Sequence, residues 1–241
     1  MTAAPTFPTP VVADRTAAAV SRLNEVASGQ GWGAIEWGRP SPSAAFTRRD
    51  SREPGFGEAV EVVIAHGFEP FIRPVGGRLA AYHEGSLVLD VNVRSENPRS
   101  GTTERFRVLS AALAQGLRTL GVDARVGEVP GEYCPGHWSV NEGDRTKLIG
   151  TGQRLVRGAF LFTAVIVVGN PEPLADVMSS TYNCLGMEMD ALTVGSVAQH
   201  VPGVTLDDVQ EAVGNALAAV LPVSGPDLVG GRLLLDAWDP R

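Results

Sequence analysis

The sequence predicts an α+β fold: one domain with a mixed, largely antiparallel sheet flanked by helices. Residues 86–94 alternate Leu87, Leu89, Val91 and Val93 with Val88, Asp90, Asn92 and Arg94, the period of two that marks a half-buried strand. Residues 137–168 read strand, turn, strand, turn, strand, ending in the apolar run AFLFTAVIVV, an antiparallel meander. Helical stripes flank this strand-rich middle, and 241 residues with 44% apolar content suit one larger domain.

The elements follow in order. The proline-rich residues 1–13 make a flexible arm. Asp14 then caps a helix carrying Ala17, Val20, Leu23 and Val26, which ends near Gly29. Gly and Pro punctuate residues 29–57, and FTRRDSREPGFGEAV is an Arg-rich loop entering a helix over 59–65, stopped by Gly67 and Pro70. After the strand 86–94, Thr102 or Thr103 opens a helix with Phe106, Leu109, Leu113, Leu117 and Leu120 on one stripe, closed by Gly121. Residues 122–126 form a short strand, and the first meander turn falls at Asn141-Glu142-Gly143-Asp144. Residues 171–182 make a short helix, and Thr205 with Asp207 and Asp208 caps another that runs to about Leu221. Residues 14–222 are assigned to the domain and residues 223–241 to a tail whose LLLDAW end docks.

Charge and cysteine usage exclude several roles. A net charge of −7 with no basic tail argues against general nucleic-acid binding, which needs clustered positive surface. The longest nearly continuous apolar run, residues 159–168, is about half a membrane span. The opening residues lack a charged-then-apolar secretory signal, and two cysteines make no stapled framework, so a reducing, cytoplasmic setting is expected. Charge is nevertheless uneven. Residues 1–125 carry 14 Arg against 13 acidic residues, and Arg48, Arg49, Arg52, Arg73 and Arg78 form an Arg-dense stretch that suits an acidic partner or phosphate, or is a solvated loop face. Of 20 basic residues 19 are Arg, leaving Lys147 the sole lysine. It is either a stray solvated residue or a compact three-donor charge that a planar guanidinium cannot imitate.

Three segments could carry chemistry. RPVGGRLAAYHEG places Gly76 and Gly77 where a ligand can lie against bare backbone, with Arg73 beside them, although Gly-Gly is also an ordinary turn and His83 an ordinary structural histidine. GEYCPG sets Cys134 in a loop thirteen residues before Lys147 of KLIGTGQR; the intervening turn returns the chain, and a nearby ammonium would depress the thiol pKa. Cys184, in YNCLGME, is the third.

Together these segments resemble the catalytic domain shared by biotin and lipoate protein ligases and lipoyl/octanoyl transferases. RPVGGR is similar to that family's acyl-binding Arg-x-x-Gly-Gly segment, and KLIGTGQR to its Lys-x-x-Gly-x-x-Gln element, which here comprises Lys147, Gly150 and Gln153. FTRRDSR and YCPG resemble the cysteine-dependent amidotransferases that move octanoyl groups from glycine-cleavage H protein to lipoyl domains. His83 and the Cys184 segment look more like the carrier-protein-dependent octanoyltransferases, so Cys184 is the alternative nucleophile to Cys134.

The resemblance implies a class II aminoacyl-tRNA synthetase/biotin synthetase-like fold and a lipoate/biotin ligase-like catalytic domain over residues 14–222. It also implies ping-pong transfer through a cysteine thioester. Cys134 and Lys147 are then catalytic, and Arg73, Gly76, Gly77, His83, Gly150 and Gln153 bind substrate. The donor would be octanoylated H protein or acyl carrier protein and the acceptor a lipoyl domain of a 2-oxoacid dehydrogenase, with no metal, nucleic acid or membrane. Burying seven carbons of an octanoyl chain is worth about 5 kcal/mol, enough to position it. The rivals are an ATP- and Mg-dependent lipoate ligase, disfavoured by the short stretch after residue 222, and a non-catalytic acyl-carrier binding protein, against which an accessible Cys and a lone Lys argue.

Overall fold

A computed structural model describes residues 14–222, 232–235 and 238. The 1–13 arm and most of the 223–241 tail lie outside those residues. In chain order the elements are α1 (Asp14–Ala27), β1 (Gly33–Gly38), β2 (Ser43–Phe46), α2 (Phe56–Ala65), β3 (Glu69–Ile72), β4 (Ala80–Tyr82), β5 (Ser86–Arg94), α3 (Thr102–Thr119), β6 (Ala124–Val126), β7 (Val140–Glu142), β8 (Thr146–Val156), β9 (Ala159–Val167), α4 (Pro171–Cys184), α5 (Leu206–Ala218) and β10 (Arg232–Leu235).

Among the described residues, seven strands form one sheet in the order β10-β1-β5-β9-β8-β7-β6, and every neighbouring pair is antiparallel. A three-stranded sheet, β3-β2-β4, contains the parallel pair β2/β3 and makes the fold mixed. The expected α+β architecture is therefore present. Helices α3 and α5 cover one face of the large sheet, burying Leu109, Leu113, Leu117, Val209, Val213 and Leu217 against Leu87, Leu89, Phe160 and Phe162. The other face meets α1 through Ala19, Leu23 and Val26, while α2 and α4 back the small sheet.

Three readings need correction. Strand β5 was expected to be half-buried, but Asp90 and Asn92 are also buried, because α1 lies across the face they occupy. Helix α2 starts at Phe56 rather than residue 59, as Phe56 packs edge-on against Phe46. The Gly/Pro-punctuated stretch also holds strands β1 and β2, which pattern reading leaves as loop. The predicted Thr205–Asp208 cap forms reciprocally. The docking expected of the C-terminal end is seen where β10 pairs with β1 and Leu235 enters the core.

Candidate active site

A cavity of about 350 Å³ opens between the β3–β4 turn, the loop before β7 and strands β8 and β9. Cys134, Lys147, Arg73, Gly76, Gly77, Gly150 and Gln153 all line it, with Phe106, Trp138, Leu155 and Val165 as apolar wall. Seven residues from the RPVGGR, GEYCPG and KLIGTGQR stretches thus meet at one place, at the lower end of the usual size range for small-ligand sites.

Cys134 is held from every side. Its φ of 42° is left-handed, a conformation that costs a non-glycine residue about 1–3 kcal/mol and persists only where the surroundings over-determine it. Its N–H donates to Tyr182 Oη at 2.6 Å, and that hydroxyl donates on to Leu79 O at 3.0 Å. Its carbonyl accepts from Lys147 Nζ at 2.9 Å. The sulfur accepts from the Arg78 N–H at 3.2 Å and from Arg73 Nη2 at 3.5 Å. Burial pushes the thiol pKa up, but the Arg73 and Lys147 charges and these hydrogen bonds more than offset it, so the thiol lies below its ordinary value.

The second glycine of the pair has a steric reason. Gly77 has φ +98°, and a Cβ there would lie 2.7 Å from Cys134 Sγ and 3.0 Å from Arg73 Nη2. Only a residue without a side chain lets this turn present the Arg78 amide to the sulfur. The FTRRDSR segment fixes the turn from behind. Buried Asp50 accepts from Thr47 N and Thr47 Oγ1, both at 2.8 Å, and pairs with Arg78 at 3.2 Å, which Glu53 also holds at 2.7 Å.

Lys147 is 1% exposed and spends all three donors: on Glu132 Oε1 at 3.1 Å, Tyr133 O at 2.9 Å and Cys134 O at 2.9 Å. Its ammonium thus clamps the cysteine loop and acts on the sulfur through space, with Arg73 the nearer charge. Gly150 adjoins it: a Cβ there would meet Lys147 Cε at 3.4 Å, an ordinary contact, so the lysine itself does not require glycine. Gln153 Oε1 accepts from Arg105 Nε at 3.1 Å and its amide donates to Thr102 O at 3.0 Å, tying β8 to the start of α3.

Two predicted residues stand elsewhere. His83 does not line the cavity; its ring accepts from Gly85 N at 2.9 Å and meets Asn170 O at 2.7 Å, closing the β4–β5 turn. Cys184 ends α4 against Gly55, outside the cavity, and burial and Glu58 push its thiol up. Of the Arg-dense stretch, Arg73 and Arg78 turn inward, whereas Arg48, Arg49 and Arg52 are exposed.

Sequence reading missed Glu132. Fully buried, it accepts from Val129 N at 3.1 Å, Gly136 N at 3.1 Å, Ser139 Oγ at 2.7 Å and Lys147, and so organises the loop that carries Cys134. Its place two residues before Cys134 was the available signal. Among the described residues no group of three or more His, Cys, Asp or Glu could hold a metal, and no helix is long and apolar enough to cross a membrane.

The profile of the lipoyl protein ligase A/B catalytic domain matches residues 49–218. An octanoyl-[GcvH]:protein N-octanoyltransferase of Exiguobacterium sibiricum is 33% identical over 113 residues, 46% of this chain and 40% of that protein. The octanoyltransferase LipM of Kyrpidia tusciae is 29% identical over 158 residues, 59% of this chain and 56% of that protein. The chain thus spans roughly half the length of these relatives. Among solved structures, lipoate-protein ligase A bound with ATP superposes with a TM-score of 0.63 at 19% identity, covering 86% of this chain and 80% of that one. A bi-partite lipoate protein ligase of Thermoplasma acidophilum gives 0.60 at 20% identity, covering 84% and 78%. Both share the fold.

Proposed function

Because the chain belongs to the lipoyl protein ligase A/B catalytic domain family, we propose that it is an acyltransferase of lipoate assembly, moving an octanoyl or lipoyl group between proteins through a thioester on Cys134. One observation carries the reading: a left-handed, fully anchored cysteine whose sulfur faces two N–H donors in a small cavity of largely apolar wall. The names of relatives acting on octanoyl-[GcvH] support the H protein as donor.

The Cys134 thiolate attacks the carbonyl carbon of the donor's octanoyl-lysine amide. The Arg78 N–H and Arg73, which already meet the sulfur, lie beside the oxyanion that forms. The C–N bond breaks, the donor amine leaves with the proton given up by the thiol, and octanoyl remains on sulfur. The ε-amine of an acceptor lipoyl-domain lysine attacks the thioester, the C–S bond breaks, and the amine's proton returns to the sulfur. Amide is exchanged for amide, so no ATP is consumed.

The test is the intact mass of the protein after mixing with octanoylated H protein, or separately with octanoyl carrier protein, without ATP. Wild type and Cys184→Ala should gain one octanoyl group and Cys134→Ala none. No adduct from either donor, with lipoyl-domain acylation appearing only when ATP, Mg and free lipoate are supplied, would make the protein a ligase.

A further inference from the structure

Beside the cysteine cavity runs a wider groove of about 970 Å³ between α1, the Thr47–Arg49 turn and the β3–β4 turn. Arg73, Gly76 and Gly77 border both hollows, so the groove leads to the cavity mouth. Among the described residues its lining includes Arg48, Arg49, Arg73 and Arg154 and not one carboxylate, in a chain where acidic residues outnumber basic ones by 27 to 20. Elsewhere Arg22, Arg39, Arg78, Arg107, Arg125 and Arg145 each pair with Asp or Glu. The four groove arginines make no ion pair among the described residues, and the side chains of Arg48 and Arg49 are exposed without a partner there. Arg73 serves the Cys134 sulfur, but Arg48, Arg49 and Arg154 have no counter-charge among the described residues. Basic groups without acidic ones on one rim of an acidic protein are a local reversal of field, the arrangement that steers an oppositely charged surface into register.

Resting on the reading that Cys134 exchanges acyl groups with lysines of other proteins, we propose that this groove docks an acidic surface flanking the modified lysine of the acyl-carrying protein. Carboxylates of the partner pair with Arg48 and Arg49, and the lysine arm then crosses Gly76 and Gly77 to reach the sulfur. Arg48 and Arg49 touch neither Cys134 nor the cavity, so their contribution is to encounter and register rather than to chemistry.

The experiment compares wild type with Arg48→Glu/Arg49→Glu. Octanoyl transfer from H protein to a lipoyl domain is measured at low and raised ionic strength, and Cys134 acylation by a small octanoyl thioester is followed by intact mass. The expected result is a KM for the protein substrate raised about tenfold or more in the variant, with kcat and small-thioester acylation unchanged, and a wild-type KM that climbs with salt while the variant's does not. An unchanged KM with intact small-thioester acylation overturns the docking site. The same is true if pyrophosphate raises the melting temperature of wild type alone while both proteins share one KM, which would make the groove a small-anion site. Loss of small-thioester acylation in wild type itself would instead overturn the transfer reading beneath it.

Discussion

Replacing Gly77 with alanine tests the geometry of the sulfur most directly. The new Cβ would stand 2.7 Å from Cys134 Sγ, well inside the roughly 3.5 Å at which ordinary contact begins, and 3.0 Å from Arg73 Nη2. The backbone at φ +98° adds about 1–2 kcal/mol for an L side chain, and overpacking a fixed site adds about 1–3 kcal/mol. Together these predict a loss of roughly 2–5 kcal/mol, which for a chain of this size lowers Tm by about 4–20 °C. The sulfur cannot retreat freely, because Tyr182 and Lys147 pin the cysteine backbone, so its hydrogen bond from the Arg78 N–H should break and alkylation near neutral pH should slow. Gly76→Ala is the control: nothing lies within 4 Å of its would-be Cβ, and its stability should stay within about 0.5 kcal/mol of wild type. The assay is thermal unfolding beside the iodoacetamide rate of the intact protein. A Gly77→Ala protein that melts and alkylates like wild type would refute the account of Gly77.

Glu132→Ala leaves the buried Lys147 charge unpaired and should cost about 3–5 kcal/mol in urea unfolding. Adding Lys147→Met to it should recover part of that loss, whereas additive losses would show the pair to be uncoupled. The Cys134 alkylation rate should reach half its maximum below the ordinary thiol pKa, and Arg73→Gln should move that midpoint upward; coincident profiles would remove Arg73 as the thiolate's partner. A depressed thiol also contributes stability as the thiolate. The advantage of wild type over Cys134→Ser should therefore be full above the unfolded thiol pKa and vanish as pH falls through the folded one, as pH-dependent denaturation can show.

What could be read in advance followed the range of the physics involved. Periodicity located β5, α3 and β9 to within a residue or two, since each buries a full stripe. It failed for SAAF, EPFI and AAY, strands of three or four residues too short to display a period. The meeting of Cys134 and Lys147 was legible in the turn between them. The larger share of Arg73 in the thiol's environment was not, for it depends on how the β3–β4 turn folds over the sulfur. Asp90 and Asn92 misled because alternation reports polarity, and polarity stands for exposure only where nothing else packs on that face.

A transferase that puts acyl groups on lysines carries a hazard in its own ε-amines. In this chain the one lysine is Lys147, enclosed by a carboxylate and two carbonyls with 1% of its surface open, so its nitrogen is turned to those partners and is not free to attack a thioester on Cys134. Arginine supplies every other basic side chain, and a guanidinium does not accept the acyl group. A copy acylated on Cys134 as proposed would meet no accessible lysine amine in this sequence or in a second copy of it, and the acyl group would wait for the lysine of another protein.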